Sequence, residues 1–209
     1  MIIFSQGSGV NDSLFGKSQA PIRAVIEQNV EAFGELSMID KIFYMDKSHS
    51  YAEKYTSETS LGDFVDVGEN GAYPKTGMQE GYSVVIEPTT WKSSFEVTAE
   101  MVEDSKVGKI KSRANIFATS YNRTREKFAA NLIYGGTGEK ISFAGKEYST
   151  LSADGKPLFS KEHTSITGGC GTQSNIFKNA FSVSVMDAMQ EAMQKFTDDD
   201  GNLLNVAPD

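Results

Sequence analysis

Apolar residues recur at helical spacing along three stretches of this chain and alternate with polar ones along others, which predicts a mixed α+β protein. Ile22, Ile26, Asn29, Phe33 and Leu36, with Val25 and Val30 widening the face, predict a helix over 19–37, capped by Ser18 with Pro21 in its first turn. Residues 1–17 read as a polar arm with a few apolar anchors, and 38–56 as extended chain. The most regular pattern is Val107, Ile110, Ala114, Phe117, Tyr121, Phe128 and Leu132, a 3/4 spacing that slips only at Arg125. It predicts a helix from Val107 to Tyr134, a rod of about 42 Å, stopped by Gly135, Gly136 and Gly138. Phe181, Val185, Met189, Ala192, Met193 and Phe196 predict a last helix over 179–197.

Between the first two helices the period changes. Residues 57–81 are turn-rich, with Gly62, Gly68, Gly71, Pro74, Gly77 and Gly81. YSVVIE (82–87) reads as a strand, and WKSSFEV (91–97) as a half-buried one with Trp91, Ser93, Phe95 and Val97 on one face. Thr98 is an N-cap candidate for a short helix, with Glu100 and Glu103 where a helix N-terminus favours acids. KISFAGKEYST (140–150) predicts a short hairpin, and LLNVAPD (203–209) the start of a strand. The predicted segments are therefore an arm and helix over 1–52, an extended hairpin over 53–97, the long helix over 98–138, and a mixed region over 139–209.

Charge sharpens this picture. The 209 residues carry a net charge of −8, which argues against tight non-specific nucleic-acid binding. The charge is polarised along the chain. Residues 53–104 hold 11 acidic and 3 basic side chains, whereas 105–127 hold 7 basic ones and only Glu126. An acidic hairpin with little apolar surface thus runs into a basic helix with one apolar stripe, and neither buries itself alone. Complementarity between subunits is the expectation, with Lys109, Lys111, Arg113 and Arg123 meeting Glu58, Asp63, Asp66 and Glu69 of a neighbouring copy. A solvated pair of faces is the plainer alternative.

Candidate chemistry is sparse. No apolar run reaches the ~20 residues of a membrane span, and the N-terminus lacks signal-peptide features. A single cysteine, Cys170, excludes an internal disulfide and fits a reducing compartment. His163 and Cys170 lie seven residues apart in a Gly-rich loop, but no third group to orient the imidazole is evident. His49 has no partner at metal spacing, GGTGEK (135–140) fails the phosphate-loop spacing, and DDDGN (198–202) lacks two ligands of a calcium loop. The expectation is no catalytic residue, no cofactor and no metal. Met186, Met189 and Met193 of the last helix read as core or interface packing rather than a partner groove.

The order of elements resembles the major capsid proteins of tailed double-stranded DNA bacteriophages, the Hong Kong ninety-seven-type fold. A polar arm and helix lead into a Gly-punctuated hairpin. FEVTAEMVEDSKVGKIKSRANIFATSYNRTREKFAANLIYGG (95–136) looks like that family's strand, capped turn and long spine helix. DGKPLFSKEH (154–163), QSN (173–175), the last helix and DDDGNLLNVAPD are similar to the Mu-type major head subunit branch. The resemblance implies an extended loop over 53–97, the spine of a peripheral domain over 98–138, and a partial axial domain over 139–209, in a chain shortened at its C-terminus. It implies a structural subunit of a phage or prophage icosahedral shell, made in the host cytoplasm and ending in the virion. Pentamers and hexamers, scaffold, protease and portal proteins during assembly, and weak non-specific contact with packaged DNA follow from it. So does the absence of any membrane partner. An encapsulin-like compartment shell is the alternative within the fold, and a thiol hydrolase using Cys170 and His163 the alternative outside it.

Overall fold

The computed structural model describes residues 13–34, 37–69, 71–75, 77–98, 100–101, 104, 107–204 and 206. The chain is α+β, with helices and small antiparallel sheets. It folds into two compact units, one of residues 1–47 and 89–131, the other of residues 48–88 and 132–209.

The first unit is built on helix α1 (Ser13–Gly34), the single turn α2 (Ile39–Ile42) and most of helix α3 (Val107–Tyr134). Helix α1 starts at Ser13 rather than at 19, so Ser18 is not its cap and Pro21 lies inside it. A proline inside a helix removes one backbone donor. The rest of the expected arm, residues 1–12, lies outside the described residues. The core joins Ile22 and Ile26 of α1 to Ile110, Ala114 and Ala118 of α3, with Val25, Val30, Phe95, Val97, Met101 and Phe117 packed around it. Ala114 and Ala118 are wholly buried, and side chains this small let the α1 backbone approach closely. The buried stripe of α3 follows one i+4 ridge, Ile110–Ala114–Ala118–Asn122, which shares Ile110 and Ala114 with the sequence pattern and has Phe117 packed beside it. Tyr121 is exposed, with the Arg125 guanidinium 5.8 Å above its ring.

Polar contacts close the far end of this packing. Asn29 donates to Asn115 at 2.8 Å, the Ser37 hydroxyl donates to Glu126, and Arg125 lies 4.0 Å from Asp40. Residues 91–97 are extended but pair with no strand among the described residues. Alternating burial holds from Phe95 to Val97, whereas Ser93 is exposed and Trp91 is 45% exposed. Trp91 meets Phe128 edge to face at 5.7 Å, and Phe95 lies 5.4 Å from Phe117, so the period of two arises from packing on a helix rather than from a sheet. These contacts place 89–98 with the long helix instead of with the hairpin. Of the expected TAEMVEDS helix, only residues 100 and 101 are described as helical.

The second unit holds three two-stranded antiparallel sheets. Strand β1 (Glu53–Glu58) pairs with β2 (Glu80–Ile86), and residues 59–79 between them have no regular structure among those described. Strand β3 (Lys140–Phe143) pairs with β4 (Lys146–Ser149) through Ala144 and Gly145, both at positive φ (50° and 79°), a two-residue hairpin turn whose twist matches the strands. Strand β5 (His163–Thr164) pairs with β6 (Thr172–Gln173). The last helix, α4, is shorter than its pattern, Val183–Gln194, because the Ser182 hydroxyl caps it at Val185 N. Leu203 makes one bridge to Thr197 that closes the 198–202 turn, and no strand follows among the described residues. Phe159 packs its ring on Gly136, where a Cβ would sit 2.8 Å from the ring, so only glycine fits after α3.

Candidate functional site

The residues expected to form a subunit contact fall in both units. On α3, Lys109 and Arg113 stand four residues apart, as do Arg123 and Lys127, and the first and last of these are separated by five full turns. All four are exposed and lie opposite the Ile110–Ala118 stripe, forming a cationic line about 27 Å long. Lys111 does not belong to it, because residues two apart on a helix point to different sides. Lys127 shares the face of Lys109, Arg113 and Arg123. Between the two pairs Ile116 is 65% exposed, an apolar side chain standing in the basic line.

The acids are arranged differently. Glu58 ends β1, directly across from Glu80 on β2, and like charges in that position repel. Asp63, Asp66 and Glu69 lie in the 59–79 connection, all exposed. That connection also carries Leu61, Phe64, Val65, Tyr73 and Met78 in solvent, with Phe64 and Tyr73 more than 90% exposed. Among the described residues only seven hydrophobic side chains are buried: Ile22, Ile26, Ile39, Ile110, Ala114, Ala118 and Ile141. None lies in the β1–β2 ribbon or its connection. A two-stranded ribbon is marginal in water on its own, and this one presents both faces to solvent over most of its length. The ribbon is tied within the unit at the end that leads into the connection, where the Ser60 hydroxyl donates to Asp198 and the Tyr82 hydroxyl bonds Thr164 Oγ1 at 3.2 Å.

Cys170 and His163 both line an open cleft of about 400 Å³, with Glu58, Ser60, Ser165 and Thr197 among its walls. The orienting group that the sequence did not reveal is Asp154. Its Oδ2 lies 2.7 Å from His163 Nδ1, and its side chain is only 8% exposed. Burial pushes the Asp154 carboxyl up, but hydrogen bonds from Ser152, His163 and the Lys156 amide, with the His163 charge, outweigh this and hold it at about 2. The signal for it is DGK, nine residues upstream of the histidine, where an aspartate folds a turn through its own side chain.

Among the described residues no hydrogen bond joins the imidazole to the thiol. His163 Nε2 is buried and has no hydrogen-bond partner among the described residues. The Cys170 sulfur instead faces the Gly171 carbonyl at 3.7 Å. Its thiol pKa is lowered chiefly by the Ser165 hydroxyl, against an opposing effect of burial, with Gln173 and Thr197 assisting. Of the 198–202 turn, Asp198 accepts from Ser60, Asp200 N and Asn202 N, so its oxygens are engaged within the protein. Among the described residues no group of three or more His, Cys, Asp or Glu side chains is placed to hold a metal ion. No helix among them is long and apolar enough to cross a membrane. Compared with protein-family models, curated proteins and solved structures, the chain shows no match.

Proposed function

We propose that this chain is a structural subunit of an icosahedral shell of the tailed-phage type, one that encloses double-stranded DNA and forms by association of copies of itself. One observation carries the reading. Beyond the Ser60 and Tyr82 contacts that tie the ribbon to the rest of the unit, the β1–β2 connection leaves Leu61, Phe64, Val65, Tyr73 and Met78 in water. Exposed apolar side chains gathered in one segment mark a protein contact surface. The order of elements supports the same reading, with an extended acidic loop ahead of a long basic helix. Repeated contacts between unlike surfaces of identical copies close into rings and shells.

The test is electron microscopy and light scattering of the purified protein, alone and with residues 60–78 replaced by a short Gly-Ser linker. Rings, capsomers or closed particles are expected for the intact chain and monomers for the shortened one. Monomers in both, at high protein concentration, reject the proposal, and particles filled with protein cargo instead of DNA select the compartment class of shell.

On this reading the acidic connection meets the cationic line of a neighbour's α3. Reversing Lys109, Arg113 and Arg123 to glutamate is expected to slow assembly at least tenfold at low salt, with the difference shrinking as salt screens the charges. Lys111→Glu, on another side of the helix, is expected to change the rate less than twofold. Equal light-scattering kinetics for both variants across ionic strength eliminate the pairing.

A further inference from the structure

Strand β1 has a second use for its backbone. In the register Lys54↔Val85, Tyr55↔Val84, Thr56↔Ser83, Glu58↔Glu80, one residue of β1 faces two of β2 in the last interval. The extra residue therefore belongs to β2, and β1 keeps an unbroken pleat. The Thr59 amide donates to Gln79 O at 3.0 Å, and the Ser57 carbonyl oxygen lies 3.3 Å from the place a Cβ on Gly81 would take. Odd-numbered backbone groups of β1 thus point at β2. Those of Lys54, Thr56 and Glu58 point away from it, because hydrogen-bonding direction alternates along a strand. Among the described residues no strand occupies that outer edge, and the side chains of Lys54, Thr56 and Glu58 are all exposed.

We propose that this edge pairs antiparallel with the same edge of a second copy, about a two-fold axis through Thr56. The inference rests on the reading that copies of this chain associate, and it names one contact by which they do so. The strand is its own complement. With the axis at Thr56, Thr56 faces Thr56 and Lys54 faces Glu58 of the other copy, twice. All three outward-pointing residues then form hydrogen-bonded pairs, joining the two ribbons into one four-stranded sheet. Moving the axis to Tyr55 or Ser57 leaves one outward-pointing residue of each strand without a partner among the three and separates Lys54 from Glu58. Opposite charges facing each other across strands stabilise a sheet. Here the lysine of the second copy also answers the repulsion between Glu58 and Glu80. Nothing in β1 blocks such pairing, since it has neither a proline nor a bulge of its own.

Cysteine cross-linking in a Cys170→Ser background tests the register. Facing residues of a hydrogen-bonded antiparallel pair lie about 5.5 Å apart at Cα, within the range of a disulfide. Thr56→Cys is expected to give a covalent dimer under mild oxidation. Lys54→Cys alone is expected to stay uncross-linked, whereas a mixture of Lys54→Cys and Glu58→Cys is expected to give the mixed dimer. Without cysteines, Lys54→Glu is expected to weaken the dimer about tenfold in sedimentation, and Lys54→Glu with Glu58→Lys to restore it within about twofold. Assembly with the thiol at position 56 still reduced, or a double charge swap no better than the single one, overturns the edge pairing and leaves the shell reading standing. A chain that stays monomeric at every concentration overturns both.

Discussion

Ile26→Ala is expected to cost the first unit about 2–4 kcal/mol, the range for removing a fully buried aliphatic side chain. Ile26 is 1% exposed and is the largest side chain that is completely buried among the described residues. Its neighbours across the helix pair are Ala114 and Ala118, which have no rotamers with which to fill the space it leaves. A small domain holds only about 5–15 kcal/mol in total, so a loss of this size removes a large share of its stability. Trp91, the only tryptophan, sits in the same unit against Phe128 and reports on it by fluorescence during urea unfolding. The midpoint is expected to fall well below that of Val30→Ala, whose side chain is only partly buried at the edge of the same cluster. Equal midpoints for the two variants place the core elsewhere.

Asp154→Ala is expected to destabilise the second unit by about 2–4 kcal/mol, because it strands three donors that the carboxylate now satisfies. These are the Ser152 hydroxyl, the Lys156 amide at 3.0 Å and His163 Nδ1 at 2.7 Å. The pH dependence has a definite sign. The folded-state pKa of Asp154, about 2, lies below the ordinary 3.8, so the folded protein prefers the ionised form. Its contribution is complete above about pH 5 and is lost as pH falls through the ordinary value and then through about 2, an effect on the order of 2 kcal/mol. Acid titration of the denaturation midpoint is expected to fall less steeply through that window in Asp154→Ala than in the parent. Parallel curves for parent and variant count against the assignment.

How far the chain was readable without its fold depended on whether the cause was local. The bounds of α3, Val107 and Tyr134, are legible because a 3.6-residue period over seven turns and a run of glycines both lie within neighbouring residues. The β3–β4 hairpin is legible for the same reason, through the Ala144–Gly145 turn. The alternation at 91–97 marks Phe95 and Val97 as inward-facing but not what they pack on, since a period of two carries no record of the partner. Ile110 and Ala114 of the predicted stripe are buried and Phe117 packs on the core, while Tyr121 is exposed, because a helix with several apolar rows leaves the choice of row to its partner.

The cationic set shows the same division. Charge content places it on α3, and helix geometry then puts Lys109, Arg113, Arg123 and Lys127 on one face and Lys111 on another. Asp154 and His163 were invisible as a pair because a turn, not a period, brings them within 2.7 Å. By itself, then, the sequence determined the α+β class, the long basic helix and the acidic, poorly buried hairpin, all set by short-range spacing and net charge. Tertiary structure alone decided which helix ridge is buried, where the imidazole finds its carboxylate and which strand edge stays open. Each of these depends on groups far apart in the chain meeting in space, and spacing along a sequence carries no record of such encounters.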